Sequence, residues 1–122
     1  MTDNKAAARD FLALVVGGQV AEAFQRHMAE GFIHHNPYFP GDGPSLMQAM
    51  AEDAKASPDK SLDIRQLIAE GDKVVVHSHL HQVGGPGYAL VHIFRFDGAK
   101  IAELWDLAQA LPVTSPNEFG PF

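Results

Sequence analysis

Gly87-Tyr88-Ala89-Leu90-Val91-His92-Ile93-Phe94-Arg95-Phe96, the turn Asp97-Gly98, then Lys100-Ile101-Ala102-Glu103-Leu104-Trp105-Asp106-Leu107-Ala108-Gln109 is the stretch whose reading decides the fold. Two β-rich runs flank an Asp-Gly pair, the strongest short-range hairpin signal in a sequence. One run carries a single histidine, His92. The other carries Asp106 beside the only tryptophan, Trp105. An acid inside a strand of Ile, Ala, Leu and Trp is a poor choice for packing. Facing the core it loses hydration, which disfavours its charged form unless something compensates. Asp106 is therefore the first candidate for chemistry, with His92 as its partner.

Moving outward, the period-two pattern extends upstream. Leu62, Ile64, Gln66 and Ile68 share one face of a strand, Gly71-Asp72 turns the chain, and Lys73 to Val83 forms the next strand. Gly84-Gly85-Pro86-Gly87 reads as a turn into the hairpin. These four strands make an antiparallel meander.

Before residue 61 the period is helical. Ala8, Phe11, Leu12, Val15 and Val16 place a helix over residues 4–16, capped by Asp3 or Asn4 and ended by Gly17-Gly18. A second helix, about 19–29, aligns Val20, Phe24 and Met28, and Gly31 stops it. Phe32 to Pro37 is a short extended piece, and Tyr38 to Gly43 a shaped loop. A third helix starts near Pro44, a residue favoured in the first turn, and closes at Ser57-Pro58. Three N-terminal helices packed on a curved four-stranded antiparallel sheet give an α+β fold in one domain, residues 1–122.

Composition narrows the function. The 122 residues, 46% apolar and 20% charged, fit one globular domain. Fifteen acids against nine bases leave a net charge of −6, which argues against nucleic acid and anionic membranes as partners. No cysteine is present, so disulfides and thiolate chemistry are excluded. Arg9 and Asp10 directly precede the apolar patch at Phe11–Val16, so we expect no signal peptide, no membrane span and a cytoplasmic protein. Gly41-Asp42-Gly43 lacks the Lys-Ser/Thr of a phosphate loop, and no serine sits in a nucleophile elbow.

The remaining signal is histidine, of which there are seven. His77, His79 and His81 alternate and share one strand face, which we expect to continue through His92. Two readings compete: a divalent-metal site, since His-x-His on a strand offers adjacent ligands, or a place in the polar part of an organic pocket or at an edge. The pocket is favoured, because no carboxylate follows His79 at ligand spacing, and His79 is expected opposite His92. In His34-His35-Asn36-Pro37, Asn36 can orient a carbonyl or water through donor and acceptor alike, or bond its own backbone as a turn residue. Tyr38 and Phe39 either close over a ligand or anchor the loop. Trp105 is expected on the outer face, packed, and His27 in solvent.

Val76-His77-Ser78-His79, Phe94-Arg95-Phe96, Lys100-Ile101 and Glu103-Leu104-Trp105-Asp106, with His35-Asn36-Pro37 upstream, resemble the SnoaL-like polyketide cyclases of the nuclear-transport-factor-2-like superfamily. The resemblance spans essentially the whole chain. It implies a cone-shaped α+β barrel of cystatin-like type, a deep pocket between helices and sheet, and a homodimer packed through the sheet. It implies cofactor-independent acid/base chemistry next to a carbonyl, an aldol-type cyclisation or isomerisation, on a small apolar carbonyl compound. The acid/base aspartate of the family falls on Asp106, its pocket histidine on His92 and its loop asparagine on Asn36. The pocket glutamine two residues before that histidine has no counterpart: Leu90 stands there. His79, His35, Tyr38 and Leu90 complete the expected substrate contacts, and no metal is expected. A base near operating pH and donors for the enolate oxygen are what such chemistry needs, as in ketosteroid isomerase, where an aspartate base sits in an apolar site. Two other readings stay open: a non-catalytic small-molecule binder of the same fold, and water activation of the epoxide-hydrolase type.

Overall fold

The computed structural model describes residues 3–122. Among these, three helices and five strands follow in the order α1 (Asn4–Val16), α2 (Val20–His27), β1 (Met28–His34), α3 (Gly43–Ala56), β2 (Ser61–Glu70), β3 (Lys73–Gln82), β4 (Gly85–Asp97) and β5 (Lys100–Ala110). The strands form one sheet, ordered β1-β5-β4-β3-β2. No described helix is long and apolar enough to cross a membrane.

The expected four-stranded meander is present as β2 to β5, but the sheet has a fifth strand. Met28–His34 pairs with β5, and parallel to it. The second helix therefore ends at His27 rather than near residue 29, and Met28 belongs to the strand. Gly31 lies inside β1 with φ 79°, where the register shifts between Met28 and Ile33. Its missing Cβ permits a bulge, not a helix stop. A second bulge, between Ile64 and Gln66, moves the inward face of β2 from Ile64 to Leu67. Gln66 and Ile68, expected to share the face of Leu62 and Ile64, point outward instead.

Local chemistry sets the helix ends. Asp3 accepts from the Ala6 amide at 3.1 Å and caps α1, and Asp42 accepts from the Ser45 amide at 2.9 Å and caps α3, with Pro44 in its first turn. Gly98-Ala99 joins β4 to β5, with Asp97 closing the hairpin against Lys100 and Gly98 at φ 60°. One glycine is fixed by space: a Cβ on Gly87 would lie 2.0 Å from the Leu80 carbonyl oxygen.

The core lies between the helices and the inner sheet face. Phe11 of α1 meets Phe24 of α2 and Phe94 of β4 edge-on, at 5.6 and 5.9 Å. Val74, Val76, Leu104, Ile101 and Leu46 are buried around them. Burying each such side chain contributes about 1.5–3 kcal/mol. His27 is buried beside Phe11, not solvated, and its Nε2 lies 2.6 Å from the Asp10 carboxylate.

Candidate active site

The hairpin register brings the first two candidates together. His92 pairs with Asp106 across β4 and β5, and with Val76 across β3. Partners directly opposite share a face, so both side chains take the inner face. There they line a cavity of about 940 Å³ between α1, α3 and the sheet. Its walls are mostly apolar, among them Leu12, Val15, Leu46, Met50, Leu62, Leu80 and Leu90. That size suits a small organic ligand.

Asn36 completes the group from the loop after β1. Its Oδ1 accepts from the Tyr38 amide at 3.0 Å, which turns its Nδ2 toward Asp106 Oδ2 at 3.2 Å. The two readings of Asn36 are thus both present: the side chain closes a turn with one end and holds the carboxylate with the other.

His34 sets the position of Asn36, a role the sequence did not disclose. His34 is buried, and its Nε2 lies 2.6 Å from the Pro40 carbonyl oxygen, so Nε2 carries the hydrogen. Nδ1 is then an acceptor, and it takes the Asn36 amide at 3.0 Å. The neutral imidazole thereby ties the loop at both ends. The signal available was the spacing of two residues between His34 and Asn36 before Pro37, which resembles many turn sequences.

Burial pushes the His92 imidazole pKa below its ordinary value, and the Asp106 carboxylate offsets part of this. His92 is accordingly a neutral imidazole at neutral pH. Its Nδ1 is buried without a hydrogen-bond partner among the described residues, and the ring borders the cavity. Asp106 supplies a carboxylate with one oxygen held by Asn36. A carbon acid placed between them would meet a base, a ring nitrogen and an amide donor.

His35 takes a different part. Its ring stacks on Trp105 at 4.9 Å, and its Nε2 lies 2.6 Å from Glu103 Oε2. Glu103 Oε1 accepts from Arg95 Nε at 2.9 Å. The hydrogen bond with His35 first, then that from Arg95, hold the Glu103 carboxyl below the usual carboxylate range. His35 and Trp105 both border the cavity, so Trp105 is not confined to outer packing. Tyr38 borders it too but is 85% exposed, and Leu90 forms part of the wall.

His79 is not in the cavity. It pairs with Ala89, not with His92, and bonds the Pro86 carbonyl at 2.9 Å. Val74, Val76 and Ser78 take the inner positions of β3, which leaves His77, His79 and His81 outside. The expected continuity with His92 fails because the register shifts between Leu80 and Gln82. Phe122 stacks on His79 at 4.8 Å and lies under Arg65, so the terminal aromatic docks on the outer face of the body, whereas Phe119 is exposed. No group of three or more ligating side chains with metal-site geometry occurs among the described residues.

The comparisons with known proteins agree on architecture. The model of the SnoaL-like domain family matches residues 8–104. Among solved structures, a candidate polyketide cyclase from Bacillus cereus is 24% identical, with a TM-score of 0.72, over 84% of this chain and 72% of the other. AclR of Streptomyces galilaeus, a candidate hydroxylase, is 20% identical, with a TM-score of 0.73, over 89% and 80%. A candidate ketosteroid isomerase from Kribbella flavida is 17% identical, with a TM-score of 0.71, over 93% and 83%. At these identities the likeness is one of fold. No curated protein sequence matches the chain.

Proposed function

The chain belongs to the SnoaL-like domain family, and from that premise we propose that it is a cofactor-independent enzyme that moves a proton next to a carbonyl. The reaction class is aldol-type cyclisation or isomerisation of a small, largely apolar substrate. Asp106 acts as the general base and returns the proton as acid. His92 and Asn36 face the oxygen on which charge develops. One observation carries the reading: His92, a neutral imidazole, stands directly across from Asp106 in an apolar cavity, while Asn36 holds the carboxylate. A neutral imidazole suits the role, because it can donate to an enolate oxygen without lowering the basicity of the neighbouring carboxylate as a cation would.

The test is hydrogen–deuterium exchange by NMR in heavy water, on a panel of ketones, β-ketoesters and enones. Wild-type protein should catalyse exchange at the carbon next to the carbonyl. Asp106→Asn keeps the shape and should slow it by about a hundredfold or more. Undiminished exchange in that variant would remove Asp106 as the base. A second reading, a small-molecule-binding protein without turnover, is favoured by Leu90, which puts an apolar side chain on the wall next to His92. Compounds that bind without exchanging would shift the weight to it.

A further inference from the structure

The cavity has a second polar pole, far from Asp106. Its wall between α3 and the start of β2 carries Asp53 and Lys60. The Lys60 side chain is only 6% exposed and donates to the carboxylate of Asp53, whose side chain is 55% exposed. Met50, Leu62 and Leu80 surround them on the wall. An ammonium has three N–H donors, and among the described residues Asp53 is the one side chain that accepts from it. Burying an incompletely bonded ammonium is costly, and an apolar residue in its place is often no less stable. Folding alone therefore gives little reason for lysine here.

Its placement supplies one. Leu62, Leu80, Tyr88 and Ala110 form one row across the sheet, next to Lys60. His92 and Asp106 lie two inward rows further on, roughly 13 Å along the strands. Three strand spacings, roughly 14 Å, separate β2 from β5 across the sheet. The two poles thus stand at opposite corners of one apolar chamber.

We propose that Lys60 is a specificity-determining residue, which binds a carboxylate on the end of the substrate remote from the reacting carbonyl, while Asp53 gives way to it. The substrate class is then an elongated oxo acid with an apolar body. The exchange of partners is nearly balanced, because the buried ammonium trades one carboxylate for another and is never left unpaired, so the apolar body supplies the net driving force. The inference rests on the proton-transfer reading for which end of the substrate reacts.

Trp105 is the only tryptophan and borders the cavity, so its fluorescence reports binding. The probes are a medium-chain methyl ketone with a terminal carboxylate, and its methyl ester. Wild-type protein should prefer the acid by about tenfold, the size of one charge-assisted contact. Lys60→Met should abolish the preference while the ester binds as before, and Lys60→Arg should restore it. Asp53→Asn should tighten acid binding several-fold by removing the competing carboxylate. Equal affinity for acid and ester in the wild type, no binding of the acid, or a preference that survives Lys60→Met overturns the inference. Weaker acid binding in Asp53→Asn overturns the role given to Asp53. None of these readouts needs turnover. Acid preference without exchange would sink the catalytic reading alone, and exchange of both probes without preference would sink the Lys60 subsite alone.

Discussion

The inner face of the sheet has two halves that differ in what fills them. On one side of the His92–Asp106 row lie Val74, Phe94, Leu104, Phe96 and Ile101, buried under Phe11 and Phe24. On the other lie Leu62, Leu80, Tyr88, Leu90, Ala108 and Ala110, which line the cavity. The strands are the same and so is their alternation. Side-chain volume makes the difference: β5 presents Leu104 and Ile101 to the packed half, and Ala108 and Ala110 to the hollow one. Likewise α1 gives Phe11 to the first, and Leu12, Val15 and Val16 to the second. The acid and the imidazole sit on the boundary row, where the imidazole is buried by the core and both border the cavity.

The largest effect that probes this contrast is a matched pair of truncations. Phe94→Ala should cost about 3–5 kcal/mol, as for large-to-small changes in a filled core. Leu90→Ala, on the hollow side of the same strand, should cost about 1 kcal/mol, since its side chain already borders open space. Chemical denaturation of both variants measures this, and equal losses would erase the distinction between the halves. A smaller effect sharpens it from the other direction. Ala108→Phe adds bulk where there is room, so stability should change by less than about 1 kcal/mol, while binding of ligands reported by Trp105 is lost. A large destabilisation would mean that the hollow half is occupied by its own side chains.

A third effect, read as a slope with pH, concerns the boundary row. Burial lowers the His92 pKa in the folded protein, so below about pH 6.5 the unfolded chain takes up a proton that the folded one does not. This contribution to stability is complete above pH 6.5 and is lost as the pH falls toward the depressed folded value. The slope approaches about 1.4 kcal/mol per pH unit within that window. Denaturation at a series of pH values, compared with His92→Gln, isolates it. The same slope in both proteins would assign it to other histidines.

The sequence disclosed what is local. The hairpin itself was legible from its Asp-Gly pair, but a two-residue turn alone would put His92 and Asp106 on opposite faces; the bulge between Arg95 and Phe96 brings them face to face. Helices with alternating caps and apolar stripes, α1 and α3, were equally legible. β1 was legible only in its extended end from Phe32 to His34, because parallel pairing leaves no nearby signal and the bulge at Gly31 breaks the alternation. His79 was misplaced for a related reason: alternation tells that His77, His79 and His81 share a face, but not which. That depends on the turn before β4, where Gly85 and Gly87 lie in the strand and the register shifts. His34 stayed hidden because its role is a tautomer, set by the Pro40 carbonyl, and no residue pattern encodes that.

The hairpin that pairs His92 with Asp106 has a consequence for how the site comes together. Zipping one short turn brings these two groups into contact, a closure over a short length of chain with a small entropic penalty. Asn36 must reach Asp106 from 70 residues away, and only after β1 has docked beside β5. The acid–imidazole pair is thus a low-contact-order element and the amide that steadies it a high-contact-order one. A chain with β1 undocked would keep its two ionisable groups in register while the third was still adrift.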